Sequence, residues 1–165
     1  MPATYEPIAT TTLGSAATSL TFSSIPATYT DLRLVFVGAT ASADGINARL
    51  NGDTASNYSD TSLEGNGTSA SSQRVSNTTF WRLEGYWQAN TSTTPFMQTL
   101  DIFSYAGSTF KTALGTSSND KNGSGDVLRT VHLYRSTSAI TSITIASGVN
   151  MTVGTTATLY GIKNA

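Results

Sequence analysis

Ten carboxylates, one imidazole and no thiol are the groups from which this chain of 165 residues could build acid–base, nucleophilic or metal chemistry. His132 lies in Val131-His132-Leu133-Tyr134, where alternation puts His132 and Tyr134 on the strand face opposite Val131 and Leu133. A general base needs a nucleophile within about 3 Å and a group that orients its ring. No Gly-X-Ser-X-Gly elbow is present, so His132 reads as a half-exposed strand residue. The carboxylates are scattered from Glu6 to Asp126. Glycoside hydrolysis needs two of them about 5–9.5 Å apart around one bond. Glu84 and Asp101 fall on neighbouring candidate strands, but nothing in the pattern selects them, and no catalytic residue is assigned.

Metal and phosphate chemistry fare no better. Asn119-Asp120-Lys121-Asn122-Gly123-Ser124-Gly125-Asp126 has oxygen ligands of the type Ca²⁺ takes but lacks the terminal bidentate Glu of an EF-hand loop; it reads as a hairpin loop. Gly65-Asn66-Gly67 is followed by no Lys-Ser or Lys-Thr pair and opens no helix, so it is not a phosphate loop. Without Cys, thiolate catalysis, disulfides and Cys-ligated zinc are excluded. No metal or cofactor is expected.

The elements that would position any site follow from composition. Only 12% of residues are charged, and 29 Thr and 22 Ser take their place; Thr favours strands while Ser and Gly populate turns. A net charge of -1 argues against nucleic acid as a partner. So little surface charge suits a chain held in a fixed assembly. No run of 18 apolar residues marks a membrane span, and polar residues after Met1 argue against a signal peptide.

The near-continuous apolar run Leu32 to Val37 reads as a central strand covered on both faces. Further strands are read at Tyr5 to Leu13, Ser19 to Ile25, Ile46 to Leu50, Phe80 to Trp87, Phe96 to Tyr105, Phe110 to Thr116, Val127 to Arg135, Thr141 to Ile145 and Thr156 to Ile162. Residues 117–125 are expected to form a long loop. Short strands at this spacing predict a single all-β domain, an antiparallel β-sandwich of jelly-roll type. Residues 54–79 are too polar and Gly-rich for core strands and read as a long exposed excursion that contacts a partner. Pro2 and Pro7 keep the first 13 residues off central strand positions. They are expected to form an attachment arm anchored by Tyr5 and Ile8, ahead of a sandwich over residues 14–165.

In Phe80-Trp81-Arg82-Leu83-Glu84-Gly85-Tyr86-Trp87, alternation separates Trp81, Leu83 and Trp87 from Phe80, Arg82, Glu84 and Tyr86. One face belongs to the core, and the other has the composition of an interface. The expected partner-contact residues are therefore Tyr5, Ile8, Tyr58, Phe80, Tyr86 and Trp87.

Tyr5-Glu6-Pro7-Ile8-Ala9-Thr10-Thr11-Thr12-Leu13, the phrase from Leu20 to Leu32, Asn51-Gly52-Asp53 with Asn57-Tyr58, and Thr158-Leu159-Tyr160-Gly161-Ile162 together resemble virion structural proteins of tailed bacteriophages, especially those of cyanobacteria. The resemblance covers both ends and the first third of the chain; residues 62–138 match no pattern of it. It implies a non-enzymatic module on the outside of a virion. The chain starts at Met1 and carries no shaft or coiled coil, which favours a capsid cement or decoration protein that contacts the major capsid protein. Contacts with copies of itself are expected to form a symmetric homo-oligomer, a trimer being favoured. A tail-fibre or receptor-binding module that recognises cell-surface glycan is the alternative.

Overall fold

The computed structural model describes residues 5–84 and 94–163. Its strands are β1 (Tyr5–Thr12), β2 (Ala17–Phe22), β3 (Asp31–Gly38), β4 (Ile46–Leu50), β5 (Tyr58–Gly65) and β6 (Ala70–Thr78). The second half supplies β7 (Trp81–Arg82), β8 (Phe96–Phe103), β9 (Lys111–Asp120), β10 (Gly125–Tyr134), β11 (Ile143–Met151) and β12 (Thr156–Ile162). They form two antiparallel sheets that pack as a sandwich, one of eight strands in the order β1-β12-β3-β8-β9-β10-β5-β6 and one of four in the order β2-β11-β4-β7.

Alternation explains the core. In β3, Leu32, Leu34 and Phe36 point inward and are fully buried, while Arg33, Val35 and Val37 face out and Val37 is 42% exposed, so the strand is not covered on both faces as its apolar run suggests. Leu20, Phe22, Ile46, Ala48, Leu50, Ile143 and Ile145 line the opposing small sheet and meet them in one apolar cluster. Each fully buried side chain of this kind contributes about 1.5–3 kcal/mol. The row Leu159–Leu34–Leu100 runs across β12, β3 and β8 in register and forms the centre of the large sheet's inner face.

Four further sequence expectations need correction. Residues 54–79 are not an irregular loop, because they contain the β5–β6 hairpin, closed by a turn in which Asn66 N–H donates to Ser69 O at 3.2 Å, although β6 itself is largely exposed. The segment's polarity misleads because in β5 the more exposed Ser59, Thr61 and Leu63 flank the buried polar residues Asp60 and Glu64, while β6 buries no side chain fully. Residues 117–125 are not a long loop either. The ladder between β9 and β10 continues to Asp120↔Gly125, and the connection is a tight turn in which Lys121 N–H donates to Ser124 O.

Of the expected strand from Phe80 to Trp87, the described residues 80–84 are strand only at Trp81–Arg82, and residues 85–87 lie outside the described ones. Finally, the described part of the expected arm, residues 5–12, belongs to the sandwich as an edge strand. β1 pairs with β12 from Tyr5↔Ile162 to Thr12↔Thr156 as the edge of the large sheet, with an irregularity between Pro7 and Ala9. A proline is tolerated there because its missing amide leaves no central ladder bond unmade. The edge is tied down by Glu6, which accepts from Lys163 Nζ at 3.0 and 3.1 Å and from Tyr29 Oη at 3.1 Å. The Tyr29 ring lies on Gly161, where any Cβ would collide with it.

Candidate functional site

Two features stand apart from the apolar core: a buried polar cluster on the inner face of β8, β9, β10 and β5, and an apolar patch on the outer face of the same strands. The cluster begins with the register of β10 on β5, which sets His132 opposite Asp60. His132 Nδ1 and Asp60 Oδ1 are 2.6 Å apart, with the two side chains 0% and 5% exposed. The second carboxylate oxygen of Asp60 accepts the Arg82 backbone N–H at 3.0 Å. The Trp81 ring lies 5.3 Å from the imidazole, and its Nε1–H donates to Leu133 O at 2.9 Å. The short β7 is thus fastened to β5 and β10 from both sides.

The other imidazole nitrogen faces Gly115. A Cβ there would lie 2.8 Å from His132 Nε2 and 3.2 Å from Gln98 Nε2, so only glycine lets the two side chains converge. His132 Nε2, Gln98 Oε1, Ser117 Oγ and Thr130 Oγ1 are all buried and have no hydrogen-bond partner. Chemically, the dyad has the ring orientation that general-base catalysis requires, since a carboxylate fixes one nitrogen and leaves the other available. Its burial keeps it from solvent-borne substrate, and its visible task is to join three strands. The expectation of a half-exposed His132 is corrected accordingly: the second sheet face at this position is covered by Trp81.

Towards the β9–β10 turn the cluster becomes acidic. Burial, reinforced by the nearby Asp126 carboxylate, pushes Glu64 above the usual carboxylate range. At the opposite end, Lys111 is fully buried, and its Nζ donates to Gly107 O at 2.6 Å and Thr109 O at 2.5 Å. Desolvation lowers its pKa. Neither group assembles a metal set: among the described residues no three His, Asp or Glu side chains come together in one. Asp120 instead accepts the Asn122 N–H at 2.8 Å, as a turn residue does.

The outer face differs. Leu63, Val127 and Val131 are 60%, 61% and 54% exposed. Leu63 pairs with Arg129, so Val127 and Val131 are its two diagonal neighbours. Arg129, set among them, donates from Nη1 to Thr116 Oγ1. Val37 and Met97, which pair with each other, extend exposed apolar surface towards the sheet end. There an open groove of about 650 Å³ runs between Val37, Met97 and Val127 and the turns at Asn66 and Gly123.

The six expected contact residues separate. Tyr5 is exposed, with its hydroxyl accepting from Arg33 Nη1 at 3.3 Å, while Ile8 is half-buried against the core of its own chain. Phe80 is half-buried, and Tyr86 and Trp87 lie outside the described residues. Tyr58 is corrected from surface contact to core: it is fully buried, stacks on Tyr134 at 4.8 Å between centroids and accepts the Leu50 N–H at 3.1 Å. Its hydroxyl also reaches Asp53 O at 3.1 Å. Sequence alone does not bring Leu63, Val127 and Val131 together, because the polarity around Leu63 reads as a loop. Alternation in Val127-Leu128-Arg129-Thr130-Val131 was the signal for the rest. No protein-family model, curated protein or solved structure matches the chain. Among the described residues no helix is long and apolar enough to cross a membrane.

Proposed function

We propose that this chain is a non-enzymatic structural protein of a tailed-bacteriophage virion, a capsid cement or decoration protein that contacts the major capsid protein and copies of itself. The observation that carries the reading is the outer face of the large sheet, where Leu63, Val127 and Val131 stand exposed in contiguous register on a chain with 12% charged residues. Apolar side chains grouped on a flat face suit burial against another protein. The phage-like phrases at both ends supply the identity of the assembly.

The strand order supports the finer architectural reading of a jelly roll with two inserted hairpins. Setting aside β5–β6 and β9–β10 leaves two four-stranded sheets, β1-β12-β3-β8 and β2-β11-β4-β7. Successive strands then wrap between the two layers as two Greek keys do. The inserted hairpins pair with each other through β10 and β5 and widen one sheet only. That widened half carries the patch.

Purified virions test the function. The protein is expected at lattice stoichiometry, with shells that become fragile when it is removed. A double variant, Leu63→Lys with Val131→Lys, is expected to fold with stability within about 0.5 kcal/mol of the parent, as exposed substitutions do, and to lose capsid occupancy. A few copies confined to the tail, with binding to host glycan, would overturn the cement reading in favour of a receptor-binding module.

A further inference from the structure

The eight-stranded sheet ends differently on its two sides. β1 is a guarded edge, interrupted by Pro7 and an irregularity before Ala9. β6 is a run of nine residues, Ala-Ser-Ser-Gln-Arg-Val-Ser-Asn-Thr, with no proline and a single charge, Arg74. Proteins usually blunt such edges with Pro, Lys, bulges or a covering element, because unpaired amides and carbonyls invite another strand. The usable part of β6 is bounded by the Asn66–Ser69 turn at one end. At the other, the register shifts beside Tyr58, where Asn77 takes a positive φ of 57°.

The direction of the backbone groups follows from the ladder. Asn66 N–H donates to Ser69 O, and the β5–β6 register runs unbroken from Gly65↔Ala70 to Ser59↔Ser76. In an antiparallel pair, hydrogen-bonded and non-hydrogen-bonded positions alternate. Residues 71, 73 and 75 therefore spend their N–H and C=O on β5. Residues 70, 72, 74 and 76 direct theirs outward. These four positions are symmetric about Gln73.

We infer that β6 is a self-pairing edge: it joins β6 of a second copy, antiparallel about a two-fold axis through Gln73, to make one continuous sheet across two chains. In that register Ala70 meets Ser76 of the second copy and Ser72 meets Arg74, so every outward donor of the regular stretch finds an acceptor. Shifting the axis to Arg74 would set two guanidinium groups directly opposite each other, and shifting it to Ser72 would leave Ser76 unpaired. The chosen register also brings the two half-buried Gln73 side chains together at a non-hydrogen-bonded position, where Cβ atoms lie about 4.5–5.5 Å apart; an amide facing its own copy can both donate and accept. Nothing but one strand is needed on either side, which is the self-complementarity a two-fold contact demands. The contact is isologous and yields a dimer, in place of the trimer expected from the sequence. It stands on strand geometry and does not depend on the virion reading.

Cross-linking tests the register. The chain has no Cys, so any disulfide in a single-Cys variant joins two molecules. Gln73→Cys is expected to oxidise mostly to a covalent dimer at micromolar concentration, at least fivefold faster than the control Ser71→Cys, whose thiol would face Val75. In the parent protein, light scattering should find twice the 17.3 kDa chain mass. Amide exchange at Ser72 and Arg74 should slow as concentration rises, while exchange at other edge amides such as those of β2 stays constant. Adding Ser72→Pro to Gln73→Cys removes an outward amide that β5 does not use and should abolish the cross-link with the circular dichroism spectrum retained. A monomer at these concentrations, a trimer, or equal cross-linking of the two Cys variants would overturn the proposal; loss of capsid binding with the dimer intact would count against the virion reading alone.

Discussion

His132 Nδ1 meets Asp60 Oδ1 at 2.6 Å although 72 residues separate them, and both side chains are buried. The pair ties β5 to β10, and through the Arg82 amide it also holds β7. Removing Asp60 leaves the buried His132 Nδ1 and the Arg82 N–H without their acceptor, at a cost of about 1–3 kcal/mol for each group left unsatisfied. Asp60→Ala is therefore expected to lower the urea midpoint strongly. Gly115→Ala should cost about 1–3 kcal/mol by overpacking against His132. Combining the two should cost less than the sum, because an imidazole released by Asp60 can move aside. Strict additivity in a double-mutant cycle would show that Gly115 and the dyad are not coupled.

Glu64 gives a pH dependence whose sign is fixed by its environment. Its pKa is raised in the folded state, first by burial and then by Asp126. Its contribution to stability is therefore complete below the unfolded value and is lost as pH rises through the folded one. Glu64→Gln removes the charge that must be buried at neutral pH. The variant should therefore be more stable than the parent at pH 7. At pH 3.5 the difference should shrink towards zero. Equal differences at the two pH values in chemical denaturation would show that Glu64 is not held in this way.

Tyr58 separates a core role from a surface role. Its hydroxyl accepts the Leu50 N–H and reaches Asp53 O, so Tyr58→Phe strands buried backbone groups and should cost about 1–3 kcal/mol. Tyr58→Ala, which also opens a cavity beside Trp81 and Tyr134, should cost about 3–5 kcal/mol. Thermal denaturation checks both. A surface contact residue would leave the melting temperature almost unchanged.

Deleting residues 1–12 removes β1, the Glu6–Lys163 pair and the cover over Tyr29. The sandwich should still fold, because Leu34, Leu100 and Leu159 at its centre are untouched. The loss should be on the order of 1–2 kcal/mol, or about 2–8 °C in Tm. The freed side of β12 becomes an unguarded edge, so concentration-dependent association should appear in light scattering. A truncated protein that is unfolded at 25 °C would show that β1 is required for the core to form.

Much of the fold is written locally. Leu32-Arg33-Leu34-Val35-Phe36-Val37 is legible as a strand because it is a short, near-continuous apolar run ending at Gly38, and Ile143-Thr144-Ile145 because its apolar side chains recur at period two. The placement of Pro7 at an edge follows from its missing amide alone. These preferences belong to a residue and its chain neighbours, so they survive without knowledge of the fold.

Pairing decided the rest. Nothing local distinguishes a Ser-rich loop from β6, which becomes a strand because β5 supplies ladder partners for it. Likewise, His132 reads as half-exposed from its own strand, whereas its burial depends on Trp81, some fifty residues earlier. Register is a relation between distant segments, set by which backbone groups and side chains satisfy one another at the same time. Tertiary structure therefore decided the dyad, the exposed patch around Leu63 and the place of β6 as the last strand of the large sheet.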